Sequence, residues 1–385
     1  MKYDFETTIN RENTGSLKID KYAGKDVLPM WVADMDFVSA PEIVEALKQR
    51  VEHGVFGYTV PHEAPEQAVL DYLKDRHGIE STTEELVWLP GLVQGLNLVC
   101  RAAGSSRDGV MVNTPVYPPF LSAPVLADRT RITVDLIEKE EGYTFDREAM
   151  EQAVTPDTKL FILCNPHNPV GRAFPREDLE WLLDFCEEHD LWICSDEIHC
   201  DLLFEGVEHV PMLSFGERAA KRTITFMSAS KTYNLPGLAC AYAVIPNPEI
   251  RRAFQKVCRG LITEVNCFGY AGLVAAYRHG EPWRQELNQV LKTNYDLLVK
   301  TLHERHPKVR IPRMDGTYLA WLDLRDYNLS KPLAHIESYG LGLSNGVDFG
   351  APSGFLRLNF GCPTSVLKEG LDRLCNALDA APPVD

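Results

Sequence analysis

Hydrophobic and polar positions follow two patterns that alternate along the chain. Short, near-continuous apolar runs occur at residues 85–89, 110–112, 159–164, 191–196, 223–227 and 239–245. Between several of them lie stretches in which apolar residues recur every three or four positions. Buried strands that alternate with helices are typical of a mostly parallel sheet with helices on both faces. The pattern therefore predicts an α/β fold.

Helical spacing of apolar residues is clearest in a few segments. It predicts helices at residues 63–77, near 178–189, and from 282 to about 305. Ser39 and Glu42 stand three positions apart ahead of another periodic segment, as in a capping box. A further helix is therefore predicted to begin there, with Ser39 as its cap.

Composition and charge limit the classes of partner. The chain has 385 residues, is 45% hydrophobic, and carries 39 basic against 55 acidic residues, a net charge of −16. This balance opposes binding to nucleic acid or to an anionic membrane. The N-terminus lacks the apolar core of a signal peptide, and the ten cysteines include no Cys-x-x-Cys pair. We expect a cytoplasmic protein with free thiols and no metal site.

Three of the apolar runs end in side chains that can carry chemistry. One run leads into two Asn-Pro pairs that include Asn168, the next ends in Asp196, and the one after it is followed by two serines and Lys231. Singly, an ordinary turn, an acidic cap and a lysine exposed to water explain these features. In open α/β sheets, however, ligands bind beyond the carboxyl ends of strands. Together they predict a binding site, in which a lysine beside hydroxyls suits a Schiff base with a phosphate-bearing cofactor.

The segments around these residues resemble a known family. Residues 165–171 (Asn-Pro-His-Asn-Pro-Val-Gly), 196–199 (Asp-Glu-Ile-His) and 228–231 (Ser-Ala-Ser-Lys) are similar to those of the fold-type I, pyridoxal-phosphate (PLP) enzymes of aminotransferase class I and II. Residues 30–37 and 54–58 add a similarity to the bacterial cystathionine β-lyase branch, the MalY/PatB type of C–S lyase. The resemblance covers nearly the whole chain and implies PLP as cofactor.

The resemblance also implies two domains. A large PLP-binding domain, with a mostly parallel sheet covered by helices, is expected at residues 46–280. A small α+β domain is expected to combine the N-terminal segment 1–45 with residues 281–385. Residues 317–324 and 355–360 are predicted to be strands of that small domain.

Four residues are assigned to the cofactor ring by the resemblance. Lys231 is expected to form the Schiff base and later to move the Cα proton of the substrate. Asp196 is expected to face the ring nitrogen and keep it protonated. Asn168 is expected to donate to the ring oxygen. Tyr117 is expected to stack on the ring and to share the protonation of the leaving thiolate with Lys231, although a core aromatic is an equal alternative on sequence alone.

The phosphate of the cofactor is expected at the start of a helix after Gly91, where free backbone amides can bind an anion. Tyr58 is expected to come from a neighbouring subunit, so a complete site would need a homodimer. A plain strand-to-helix turn and a locally packed tyrosine are the ordinary alternatives. The residues assigned to the phosphate are Leu92, Val93, Gln94, Ser228, Ser230 and Tyr58.

Arg357 is the candidate for the carboxylate of an amino-acid substrate. A guanidinium group can give two parallel hydrogen bonds and so orient the substrate. Asn168 and the backbone of Val32 and Ala33 are expected to add contacts. A surface ion pair at a strand edge is the alternative role for Arg357.

Two positions depart from the aspartate aminotransferases of the same family. His199 stands where those enzymes have a tyrosine, and it is expected either to contact the cofactor or to support the site from the core. Ala239 stands where they have a phosphate-binding arginine. No second arginine for a side-chain carboxylate is apparent, so dicarboxylic amino acids are poor candidate substrates.

The residues and the resemblance together predict a C–S β-lyase. It would cleave cystathionine or another cysteine S-conjugate to pyruvate, ammonia and a thiol. An aminotransferase of neutral or aromatic amino acids shares every cofactor residue, and a need for an added 2-oxo acid would separate it. Elimination from a chlorinated or selenium-containing amino acid is a third possibility. An effector-sensing module is a fourth, which the acidic balance disfavours.

Overall fold

The computed structural model describes residues 1–383. Its strands, in chain order, are β1 Leu28–Pro29, β2 Leu86–Leu89, β3 Gly109–Thr114, β4 Thr130–Lys139, β5 Gly142–Phe145, β6 Thr158–Cys164, β7 Trp192–Asp196, β8 Thr223–Met227, β9 Ala241–Val244, β10 Leu319–Asp323, β11 Leu341–Gly342, β12 Ser344–Asn345 and β13 Phe355–Asn359. Its helices are α1 Leu17–Asp20, α2 Pro41–His53, α3 Glu63–His77, α4 Leu92–Ala102, α5 Pro118–Leu126, α6 Arg147–Ala153, α7 Arg176–Glu188, α8 Glu217–Ala220, α9 Pro248–Cys258, α10 Cys267–His279, α11 Glu281–Arg305, α12 Pro332–Ser338 and α13 Thr364–Asp379.

The largest sheet has eight strands in the order β2-β9-β8-β7-β6-β3-β4-β5. The pairs β8-β7, β7-β6, β6-β3 and β3-β4 are parallel, while β9 and β5 run antiparallel to their neighbours. Strands β3, β8 and β9 are buried along their whole length. The predicted α/β fold with a mostly parallel sheet is confirmed. The parallel arrangement places the carboxyl ends of β6, β7 and β8 side by side.

Both faces of this sheet are covered by apolar clusters. On one face, Leu96 of α4, Phe120 of α5 and Phe254 of α9 pack with side chains such as Phe226 of the sheet. On the other face, side chains of α6 and α7 pack against neighbouring strand positions that include Phe161. This two-sided burial explains why the central strands appear in the sequence as continuous apolar runs.

A second, antiparallel sheet has the order β10-β13-β12. It shares a core with α11, α13 and the N-terminal segment, in which Phe5 and Met30 are buried. Strand β1 pairs in parallel with β11, with Leu28 opposite Leu341. These contacts support the predicted joining of the two chain ends, whereas the domain boundaries stay a prediction.

Most of the predicted elements appear within a few residues of their expected bounds, but one cap was wrong. Helix α2 begins at Pro41 with Ala40 as N-cap and without a side-chain cap. Ser39 lies one position too early and donates its hydroxyl to the carbonyl of Asn234 (3.3 Å). Within residues 1–383, no helix combines the length and apolar character needed to cross a membrane.

Candidate active site

A cavity of about 190 Å³ lies at the carboxyl ends of β6, β7 and β8. Most of the residues predicted for the cofactor line it, although they come from separate segments of the chain. Ala33, from the segment ahead of α2, closes one side. The predicted residues that line the cavity are Ala33, Leu92, Val93, Gln94, Tyr117, Asn168, Asp196, His199, Ser228, Ser230 and Lys231.

Lys231 follows β8 and its amine donates to the carbonyl of Ala33 (2.7 Å). The same carbonyl accepts a bond from the buried Tyr318 hydroxyl (3.1 Å). Burial lowers the pKa of Lys231 to about 8, and the Arg357 guanidinium contributes to the shift. A share of the amine is therefore uncharged near neutral pH, which is the form that a Schiff base or a general base requires.

Asp196 ends β7 and is buried. Its Oδ1 accepts a bond from the backbone N–H of Ile198 (3.2 Å). Burial raises the pKa of Asp196 to about 7, against the opposing effect of the Lys231 ammonium. A protonated ring nitrogen placed here would restore the ionised carboxylate, and the carboxylate would in turn keep that nitrogen protonated. Asp196 thus fits the ring partner of PLP.

The start of α4 provides backbone amides for an anion. Helix α4 begins at Leu92, and its N-cap is Gly91, which has no side chain that could bond to the first amides. On the facing turn, the Ser228 hydroxyl donates to the carbonyl of Cys240 (2.8 Å) and accepts the N–H of Ser230 (3.0 Å). The Ser228 hydroxyl is therefore engaged by the backbone, which leaves Ser230 as the better phosphate donor of the two. These groups fit the phosphate of PLP.

Arg357 lies on β13 and is buried. Its Nη1 donates to Oδ1 of Asn168 (3.0 Å) and its Nη2 to the carbonyl of Trp31 (2.9 Å). The Phe349 ring stacks on the guanidinium, with 4.7 Å from Cζ to the ring centroid. Its Nε is buried without a partner, and burial lowers the pKa of Arg357 to about 10. No carboxylate among residues 1–383 pairs with it, so the group is suited to an incoming carboxylate.

The bond from Arg357 also orients Asn168. Because the amide oxygen of Asn168 accepts from Arg357, its amide nitrogen is left as a donor. That arrangement agrees with the predicted donation to the ring oxygen. Asn168 therefore links Arg357, the predicted ligand of the substrate carboxylate, to the predicted position of the cofactor ring.

The segment 30–37 contacts both Lys231 and Arg357 through its backbone carbonyls. The carbonyls of Val32 and Asp34 accept bonds from the Asn359 amide (2.6 and 2.7 Å), and that of Ala33 accepts from Lys231. Val32 and Ala33 thus direct backbone carbonyls to side chains of the site. Their predicted contact with the substrate carboxylate stays a prediction.

Tyr117 follows the carboxyl end of β3 and His199 follows that of β7, and both side chains are uncharged near neutral pH. Burial lowers the pKa of His199 to about 3, and its Nδ1 has no hydrogen-bond partner. Burial raises the pKa of Tyr117, so its phenol keeps its proton. Tyr117 is also held in place by its backbone N–H, which donates to the carbonyl of Asn168 (3.1 Å).

Arg357 and Val32 do not line the cavity, although Arg357 bonds to Asn168, which does. Tyr58 is the predicted cofactor contact that this chain does not bring to the cavity. It lies on the exposed loop 54–62 and is fully exposed.

The sequence reasoning also missed three supporting residues. Tyr318 donates to the carbonyl of Ala33, Ser344 accepts from Arg357, and Asn359 donates to the carbonyls of Val32 and Asp34. Tyr318 and Asn359 begin or end apolar strands of the second sheet, but nothing in that pattern shows that they meet the first forty residues.

The chain is similar to known proteins over almost its full length. Residues 25–374 match the model of the family described as aminotransferase class I and II. Cystathionine beta-lyase PatB of Bacillus subtilis (strain 168) is 37% identical over 97% of this chain and 100% of PatB.

Solved structures are similar to this chain over nearly the same range. The crystal structure of OvoB has a TM-score of 0.95 and 41% identity, covering 98% of this chain and 100% of that one. The PLP-bound C–S lyase of Staphylococcus hominis has a TM-score of 0.90 and 31% identity, covering 98% of each chain. The chain belongs to the aminotransferase class I and II family of PLP-dependent enzymes, in the branch that contains PatB and the C–S lyases.

Proposed function

We propose that this protein is a PLP-dependent C–S β-lyase. Its substrate would be L-cystathionine or a related cysteine S-conjugate, which it would cleave to pyruvate, ammonia and a thiol. The proposal rests on two groups that lie in one site. The Lys231 amine bonds to the carbonyl of Ala33, and the buried Arg357, which lacks a carboxylate partner, bonds to Asn168. The names of PatB and of the S. hominis C–S lyase support the same class of reaction.

The lining of the cavity favours a substrate whose side chain carries no carboxylate close to the ring. Among the described residues that line it, Lys231 is the sole lysine or arginine. Arg357, which would bind the α-carboxylate, lies beyond Asn168, and no guanidinium in the lining would hold a side-chain carboxylate close to the ring. This supports cysteine S-conjugates over dicarboxylic amino acids.

Each group then has a defined task. When bound, PLP supplies an aldehyde for the substrate amine and a ring that takes up electrons from Cα. Arg357 orients the substrate through its carboxylate, and Asp196 stabilises positive charge at the ring nitrogen. The uncharged Lys231 amine removes the Cα proton, and Lys231 or the Tyr117 phenol returns a proton to the sulfur that leaves.

Pyruvate release tests the proposal directly. Purified protein with PLP and L-cystathionine, without any 2-oxo acid, should form pyruvate and free thiol in equal amounts. Lys231→Ala should form neither, because it lacks the amine that takes the Cα proton. Turnover that requires an added 2-oxo acid would show an aminotransferase instead, and pyruvate formation by Lys231→Ala would contradict the role of Lys231.

We also propose a homodimer in the cytoplasm. The loop 54–62 exposes more than half of the surface of Val55, Phe56, Tyr58 and Val60, and a contiguous apolar surface of this kind is typical of an interface. Tyr58 would then reach the phosphate site of the partner. The ten free cysteines fit a reducing compartment.

A further inference from the structure

A second cluster of chemically active side chains lies where the end of α3 meets the loop after β7. The Tyr72 hydroxyl is 2.7 Å from Oδ2 of Asp201, 3.0 Å from Nε2 of His77 and 3.4 Å from Sγ of Cys200. Sγ of Cys200 is 3.8 Å from Nε2 of His77. Potential ligand atoms of His77, Cys200 and Asp201 all lie within 4.8 Å of one another. Four potential ligand atoms from two segments of the chain are therefore clustered.

Two of these separations match those between the ligands of a tetrahedral metal ion. Zinc bonds of about 2.0–2.3 Å place the ligands of a tetrahedral site roughly 3.3–3.8 Å apart. The distances from Cys200 to His77 and to Tyr72 agree with that range. The shorter distances from Tyr72 to Asp201 and His77 are those of hydrogen bonds, and they would lengthen by a few tenths of an ångström on coordination.

The set of ligand atoms selects the kind of ion. A thiolate, an imidazole and a carboxylate together favour Zn²⁺ over the hard cations Mg²⁺ and Ca²⁺. The charges of the Cys200 thiolate and the Asp201 carboxylate would balance the two charges of the ion, and the thiol proton would pass to solvent. Arg76 donates to Oδ1 of Asp201 (3.1 Å), so Oδ2, which accepts the Tyr72 hydroxyl (2.7 Å), is the oxygen that would turn to the metal.

A nearby histidine independently indicates a ligand. His209 lines the same cavity, of about 420 Å³, as His77 and Cys200, and its ring centroid is 5.7 Å from that of His77. The His209 side chain is 3% exposed, and its Nε2 lies 2.7 Å from the fully buried carboxylate of Glu197. Its Nδ1 is buried without a hydrogen-bond partner. A histidine whose second nitrogen donates to a carboxylate is the usual arrangement around a bound metal.

We propose that His77, Cys200 and Asp201 form a Zn²⁺ site, with Tyr72 at the fourth position and His209 beside it. The sequence alone predicted no metal site. His77 and Cys200 lie 123 positions apart, so the proposed ligands form no spaced motif. The site would tie α3 to the loop that carries His199 and follows Asp196 at the end of β7. The site is separate from the PLP cavity and does not depend on the proposed lyase reaction.

The test uses the holoenzyme, stripped of metal and loaded with one equivalent of Zn²⁺ or Co²⁺. Zinc should remain on the protein after desalting, and its X-ray absorption should show one sulfur ligand. Bound Co²⁺ should give the intense visible bands of a tetrahedral ion, at wavelengths beyond the cofactor absorbance. A zinc environment without sulfur, or octahedral cobalt, in the intact chain would overturn the proposal without any need for a variant.

Variants locate the site. Cys200→Ser should weaken zinc binding by roughly 100-fold or more, since even outer-shell partners contribute 10- to 100-fold. Tyr72→Phe keeps the stacking on Tyr277 (3.9 Å) and should weaken binding less. Cys258→Ser, a matched change elsewhere, should have no effect. His189 forms a second cluster with the exposed Glu151 and Glu188, which lacks a thiol. If His189→Ala loses zinc binding, the assignment of the site to Cys200 is wrong.

Discussion

Lys231 and Asp196 show how burial prepares two groups of opposite charge. Burial lowers the pKa of the lysine to about 8 and raises that of the aspartic acid to about 7. Both shifts move the groups towards their neutral forms, because burial disfavours a charge and neither group has an ion-pair partner among residues 1–383. A protonated ring nitrogen would supply the partner that Asp196 lacks. The residues of the site are thus arranged for a cofactor that brings its own charge.

The cofactor-free protein should be stabilised by Asp196→Asn in a pH-dependent manner. Below the usual pKa of 3.8, Asp196 is protonated in both the folded and the unfolded chain. As the pH rises to about 7, the unfolded chain releases this proton first, so the stability of the folded state falls by a few kcal/mol. Asparagine cannot ionise. We therefore expect the variant to unfold at a higher temperature than the native chain at about pH 8, with little difference near pH 4.

Thermal unfolding at the two pH values, without PLP, measures this difference. Asp178→Asn provides the control, because Asp178 is buried but paired with Arg147 (2.9 Å), and losing that pair should destabilise the chain at about pH 8. With PLP bound, Asp196→Asn should instead lose about 100-fold or more in kcat, since it no longer stabilises the charged ring. An equal effect of Asp196→Asn at both pH values would contradict the buried, protonated carboxyl.

The sequence predicted the site residues that stand at strand ends and missed those that support them. Asn168, Asp196 and Lys231 follow apolar runs, and parallel strands bring their carboxyl ends together. Tyr318 contacts Ala33 across 285 positions of the chain. Such a contact depends on how the second sheet packs against the N-terminal segment, and no local pattern records it. The engagement of the Ser228 hydroxyl by Cys240 was hidden for the same reason.

At the scale of elements, the irregular segment 30–37 is held by partly buried ion pairs. Arg11 pairs with Asp34 and Asp36 (2.7 Å each), and Lys18, 1% exposed, pairs with Asp36 (2.6 Å). The carbonyl of Ala33, which receives the Lys231 amine, lies next to Asp34 in this segment. The N-terminal charges thus act on the site by fixing the backbone that positions its lysine.

Arg11→Ala should lower kcat/KM for pyruvate release by about 10- to 100-fold, because small displacements of a catalytic group are costly. The reason is loss of two contacts to the segment 30–37, not loss of a group that touches the substrate. Arg11→Lys should recover part of the activity. Kinetics and thermal midpoints would be measured together.

The exposed pair Lys2–Glu42 (3.6 Å) gives the comparison for that experiment. Lys2→Ala should change neither the kinetics nor the thermal midpoint, since exposed ion pairs contribute little. If Arg11→Ala lowers the midpoint but leaves kcat/KM of the folded protein unchanged, Arg11 serves stability alone and the positioning role is wrong.

Helix α3 was predicted at its observed bounds, and most other elements within a few residues, because apolar spacing is strong in buried elements. The pair β4 and β5 was missed, although β4 alternates exposed and buried positions. It lies at the sheet edge, where half of the side chains face solvent and the apolar signal is weaker. Ser39 failed as a cap because the helix begins one position later than predicted, with Ala40 as N-cap, and the Ser39 hydroxyl instead donates to the carbonyl of Asn234, 195 positions away.

At the scale of the whole molecule, one chain brings together every predicted cofactor contact except Tyr58. The loop 54–62 extends from the end of α2 with its apolar side chains uncovered. A second cavity, of about 640 Å³, lies beside it between α2 and α10. This uncovered region is large enough to take part in an interface between two copies of the chain.

If Tyr58 completes the site of a partner subunit, two inactive variants should restore each other's activity. Lys231→Ala lacks the catalytic lysine, and Tyr58→Ala should lose much of its PLP affinity and activity. In a mixed dimer, one site combines the intact Lys231 of one chain with the intact Tyr58 of the other. Unfolding and refolding the two variants together should therefore yield about a quarter of the native activity, since half of the dimers are mixed and each has one complete site. Refolding each variant alone is the control, and a mixture no more active than their average would show that Tyr58 acts within its own chain or not at all.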